Sequence, residues 1–152
     1  MKTKGGLILG ILGSRSLSDE RVKIIILEAI DKYKPEILCT AAEPGGVCEV
    51  ARDIARASGA NLLLCHLNFR YLRGAFARRT DECYKYMEHV IFIHDGVSQG
   101  CANEKALAIK KNIPYDYYKL EPAEYEKSIG FKVKTSWDEL DFELNELDEK
   151  TK

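Results

Sequence analysis

The chain has 152 residues, 45% of them hydrophobic and 31% charged, a globular balance that excludes a disordered or fibrous protein and suits one core. The net charge of −1 is uneven: seven acids and two lysines lie between Asp138 and Lys152, which leaves residues 1–137 at +4. A mildly basic body of this kind is no footprint for a duplex-binding domain, but it suits a small anionic ligand.

Strand and helix signals alternate along the chain. "GLILGIL" (6–12) is a continuous apolar run ended by Gly13, as expected of a strand covered on both faces. With its flanking glycines it is about half a bilayer span and has no cleavage pattern after it, so the reading is neither exported nor anchored. "SDERVKIIILEAIDKY" puts Val22, Ile25, Ile26, Ala29 and Ile30 on one helical face, with Asp19 and Glu20 at its start and Pro35 as a stop. "EILCTAA" reads as a second strand. "GVCEVARDIARASG" is a helix whose inward residues are Val47, Val50, Ala51, Ile54 and Ala55. "NLLLCHL" is a third strand, followed by a loop rich in arginine and aromatic residues. "AFARRTDECYKYM" sets Phe76, Thr80, Cys83 and Met87 along one stripe, and "HVIFI" is strand four. "CANEKALAIKKN" is expected to turn Ala102, Ala106 and Ile109 inward, before "PYDYYKL" as strand five.

Five strands alternating with four helices define an α/β domain over residues 1–120, with a mainly parallel sheet of five or more strands and helices on both faces. Crossovers should be right-handed. Residues 121–152 form an acidic C-terminal extension, read either as an element packed on the body or as acids lying over the basic cleft of the same or a neighbouring subunit. The five cysteines Cys39, Cys48, Cys65, Cys83 and Cys101 lack C-x-x-C pairing and read as free thiols of a reducing cytoplasm. His66, His89 and His94 fall at no finger or zincin spacing, so no metal site is expected.

Ligands of open parallel sheets bind outside the carboxyl ends of the strands. Four loops emerge there: "GSRS" (13–16), "AAEPGGV" (41–47), "LNFRYLRGAFARR" (67–79) and "DGVSQGC" (95–101). No G-x-G-x-x-G and no G-x-x-x-x-G-K-[ST] occurs among them, so neither a dinucleotide cofactor nor a P-loop nucleotide is supported. Gly45-Gly46 and Ser98-Gln99-Gly100 each precede a helix, where backbone N–H groups and the helix dipole gather anions, or where glycine merely permits a tight turn. Arg70, Arg73, Arg78 and Arg79 beside Phe69 and Tyr71 suit a phosphate plus a stackable base, or are solvated surface. Glu104 is a site carboxylate or a first-turn helix acid favoured by the dipole. Cys101, at a helix start, reads as a lowered-pKa nucleophile, though no histidine is placed by sequence to serve as its base.

"LGSRS" after strand one, the glycine turn after strand two and "ARRTDECYKYMEHVIFIHDGVSQGCANEKALAIKKNIP" resemble the SLOG superfamily of Rossmann-like domains. That group includes the LOG phosphoribohydrolases, the SMF domain of DprA and small YspA-like proteins. The resemblance covers about residues 7–119. Its most specific part is an arginine (Arg79) followed after the strand by D-G-x-S-x-G, here Asp95, Gly96, Ser98 and Gly100. The chain departs from the pattern at Cys101, where the family has threonine, at Thr80, at "AAEP" (41–44) in place of S-G-G-A, and by a turn two residues longer than that of the LOG enzymes.

The resemblance implies a Rossmann-like three-layer sandwich and a cytoplasmic homodimer. It implies a nucleotide or nucleotide-derived ligand bound by Gly13, Ser14, Arg15, Gly45, Gly46, Arg78, Asp95, Gly96, Ser98, Gly100 and Cys101, with no cofactor. Arg79 and Glu104 would be the catalytic pair for hydrolysing the N-glycosidic bond of a nucleoside 5′-monophosphate. The alternatives are a non-catalytic nucleotide sensor or sponge and a single-strand DNA contact, the latter disfavoured by the weak charge.

Overall fold

The computed structural model describes residues 6–67 and 74–122. Phe69, Arg70, Tyr71, Arg73 and all of the extension from residue 123 lie outside the described residues. The elements are β1 (Ile8–Gly13), α1 (Glu20–Tyr33), β2 (Ile37–Ala41), α2 (Gly46–Ser58), β3 (Asn61–Cys65), α3 (Ala75–Tyr84), β4 (His89–His94), α4 (Gln99–Lys110) and β5 (Tyr115–Lys119). All four strand pairings are parallel, in the order β3-β2-β1-β4-β5. The order reverses between β1 and β4, and at such a switch point the loops on either side diverge and leave a crevice.

Each central strand buries both faces. Leu9, Ile11, Ile91 and Ile93 pack with Val22, Ile26 and Ala29 of α1 and Val47, Ala51 and Ala55 of α2. Leu12, Val90 and Phe92 face the opposite way, onto Cys83 and Tyr84 of α3 and Cys101 and Ala108 of α4. The result is the expected three-layer sandwich, with α1 and α2 on one face and α3 and α4 on the other. Asp19 caps α1 by accepting from the Arg21 N–H. The stripes read from α1, α2 and α3 are those that face the sheet, with Phe76, Val50, Ile25 and Ile30 half-buried at their margins.

Two expectations fail here. Helix α4 begins at Gln99, not Cys101, and its buried residues are Cys101 and Ala108; Ala106 and Ile109 are exposed, and Ala102 is half-buried. A stripe drawn through apolar residues alone misses that Glu104 shares the inward face, its charge paired within the structure. The cysteines are also not all free. Cys65, the last residue of β3, and Cys83 on the inner face of α3 have Cα atoms 5.9 Å apart and form a disulfide, while Cys39, Cys48 and Cys101 are buried thiols. These two residues are 18 apart in sequence, and only the docking of α3 onto the end of β3 brings them together.

No helix among the described residues is long and apolar enough to cross a membrane. Among them, no group of three or more His, Cys, Asp or Glu side chains is arranged to hold a metal ion.

Candidate functional site

The carboxyl ends of β1, β2 and β4 open into a cleft of about 610 Å³ that continues between α3 and α4. This is the size range of small-ligand pockets. Its floor holds a chain of alternating charges. Arg15, just after β1, lies 3.5 Å from Glu43 in the β2–α2 loop. Glu43 also accepts from Nη1 of Arg79 on α3, and Nη2 of Arg79 reaches Glu104 of α4 at 3.2 Å. These four side chains are nearly buried, none more than 11% exposed. Charges removed from water at such cost persist where each is paired. Arg79 satisfies both carboxylates at once. Burial opposes its charge, but Glu43 and Glu104 outweigh that and hold the guanidinium firmly protonated. Its Nε–H is buried and has no acceptor among the described residues.

Glu104 is the sixth residue of α4, so it lies beyond the first turn and the helix-dipole reading does not apply. Counted from Gln99, it faces α3, where its carboxylate meets Arg79 and its carbonyl accepts from the Tyr84 hydroxyl at 2.5 Å. Arg79 and Glu104 therefore converge at the interface of α3 and α4.

Two neighbouring residues build the turn into α4. Asp95 accepts from the Ser16 hydroxyl at 2.7 Å and from the N–H groups of Val97 and Ser98 at 2.9 and 2.7 Å. Burial works against its ionisation, but these hydrogen bonds prevail and keep its carboxyl below the usual range. His94 contacts the Ser98 carbonyl at 2.9 Å. Because a carbonyl can only accept, Nε2 carries a proton and donates to it, and Nδ1 is hydrogen-bonded to the Tyr117 hydroxyl at 2.7 Å. With the carbonyl of Ser98 fixed, the first amides of α4, at Gln99, Gly100 and Cys101, have no partner within the helix. Ser98, Gly100 and Cys101 line the cleft.

The expected residues thus divide. Gly13, Arg15, Arg79, Ser98, Gly100, Cys101 and Glu104 line the cleft. Ser14, Asp95 and Gly96 do not. Ser14 is buried, with its hydroxyl accepting from the Asp95 N–H and its carbonyl from the Val47 N–H, so it staples three loops together. Gly45 and Gly46 are absent from the lining as well, and the Val47 amide that follows them donates to the Ser14 carbonyl. Arg78 is exposed on the outer side of α3. Cys101 is no activated nucleophile: burial raises its thiol pKa, and Glu104 adds to the effect.

Glu43 is the residue that the sequence did not single out. It stands in "AAEP", read only as a departure from a family pattern, and the available signal was an acid at the carboxyl end of a central strand. Phe76, whose ring lies 5.4 Å from the Arg79 guanidinium, completes the wall with Thr80 and Asn103. A comparison with protein-family models, with curated proteins and with solved structures gives no match for the chain.

Proposed function

We propose that the protein binds a nucleoside 5′-phosphate, or a ligand derived from one, in this cleft and hydrolyses its N-glycosidic bond, as the SLOG resemblance implies. The observation that carries the reading is the convergence of Arg79 and Glu104 on the floor of a cleft into which the first turn of α4 opens. Helix N-termini gather phosphate oxygens through backbone N–H groups and the dipole. Breaking the bond to the base builds positive charge at C1′ and the ring oxygen, and Glu104 would stabilise it more than it stabilises the substrate. Water adds to C1′ and the base departs with a proton, giving ribose 5-phosphate and free base. The buried Nε–H of Arg79, which has no acceptor among the described residues, is consistent with a site completed by its ligand.

A second reading is a non-catalytic nucleotide sensor, favoured by the full engagement of Glu104 with Arg79 in the structure. One experiment separates the two. Each nucleoside 5′-monophosphate is incubated with the protein, and ribose 5-phosphate and base are measured. Turnover that falls at least 100-fold in Glu104→Gln supports the hydrolase, saturable binding without product supports the sensor, and neither binding nor product refutes both. The resemblance also brings a cytoplasmic homodimer, whose stoichiometry sedimentation equilibrium would measure.

A further inference from the structure

Resting on the nucleotide reading, we infer that Glu43 is the residue that recognises the sugar, by accepting hydrogen bonds from ribose hydroxyls, and that the cleft therefore selects ribonucleotides over 2′-deoxyribonucleotides. The charges decide how a ligand lies. Arg79 holds a carboxylate on each of its terminal nitrogens, and Arg15 shares one of those carboxylates. Among the described residues these two cations and two anions balance, and a phosphate set against Arg79 would meet both Glu43 and Glu104 at close range. The phosphate is better placed at the first turn of α4, where Ser98, Gly100 and Cys101 line the cleft and no acid occurs in the helix's first turn.

The part of the ligand facing the floor then meets carboxylate oxygens held by arginines, which accept hydrogen bonds. It must be rich in donors, and on a nucleotide the group of that kind nearest the phosphate is the ribose diol. Glu104 is assigned to the anomeric carbon by the reading above. Glu43 comes from the β2–α2 loop on the other side of Arg79, is almost fully buried yet lines the cleft, and spends one oxygen on each arginine. A carboxylate has about four acceptor positions, so lone pairs remain for hydroxyls. Arg15 and Arg79 fix its orientation, which makes it a rigid recognition group and not a mobile surface acid.

The test is calorimetric titration of the wild-type protein and of Glu43→Gln with adenosine, guanosine, cytidine and uridine 5′-monophosphates and their 2′-deoxy counterparts. A hydrogen bond to a charged group corresponds to a factor of about 10 to 100 in affinity. The wild type is expected to prefer the ribonucleotide by that factor, and Glu43→Gln to bring the ratio to within about threefold, mainly by weakening ribonucleotide binding. A wild-type ratio near one overturns the inference whether or not the variant folds, and so does a ratio that persists in a folded Glu43→Gln. Binding without discrimination removes the role of Glu43 and leaves the nucleotide reading standing. Absence of binding by all eight compounds removes both.

Discussion

The turns before α2 and α4 look alike in sequence, each a glycine-containing loop leading from a strand into a helix, yet they do different work. At α2, Gly45 has φ 72° and ψ 170°, and Gly46 has φ 71°. A Cβ on Gly46 would lie 2.3 Å from the Cα of Arg15 and 2.7 Å from the Ser14 carbonyl oxygen. These glycines let two backbones touch, and the amide behind them donates to Ser14. At α4, Gly100 lies within the helix, and the loop's inner amides are bound by Asp95, so the first turn is held open at the cleft. A glycine turn before a helix is an anion site only when no carbonyl of the protein has already taken its amides.

Substitutions can break this comparison. The largest effect is expected from Gly46→Ala, which combines a left-handed backbone with a clash against Arg15 and should lose about 4 kcal/mol of stability in denaturant titration. Gly45→Ala has strained backbone but no close neighbour except Glu49 at 3.9 Å, and should lose about 2 kcal/mol. Equal losses would mean that Gly46 does not serve close packing. Asp95→Ala should cost about 1.5 kcal/mol at neutral pH by releasing the α4 turn. Because the folded pKa of Asp95 is depressed, its contribution is complete above the ordinary carboxylate value near 4 and is lost as the pH falls through its own lower value. The wild type should therefore shed stability on that acid limb, and Asp95→Ala should shed less of it. The smallest effect is a change in chemical shift: inorganic phosphate should move the amide resonances of Gly100 and Cys101 and leave those of Gly46 and Val47 in place. The reverse pattern would exchange the roles of the two turns.

Much of the architecture could be read from the sequence because its signals are local. Apolar runs such as "HVIFI" and stripes such as Val22, Ile26 and Ala29 depend only on residue type and period, and both formed where expected. The site was legible in part. Arg79 and Glu104 were found through a family pattern, but whether they met depended on where α4 began, and that was set by Asp95 and His94 gripping the turn. Ser14 and Asp95 lie in the right loops but face their neighbours, a distinction of side-chain direction that spacing does not encode. Glu43 and the Cys65–Cys83 pair were missed for a related reason. Each acquires a partner when α3 docks, Arg79 for Glu43 and Cys83 for Cys65, and the period of a single element carries no trace of that.

The alternating order Arg15–Glu43–Arg79–Glu104 also constrains how this protein can be altered. Neutralising either inner member, Glu43 or Arg79, leaves the row with one charge in excess, whereas removing an inner and an outer neighbour together leaves a balanced pair. Directed evolution of the pocket that samples one position at a time would meet mainly losses, and libraries that vary Arg15 with Glu43, or Arg79 with Glu104, are the ones in which new specificities should surface.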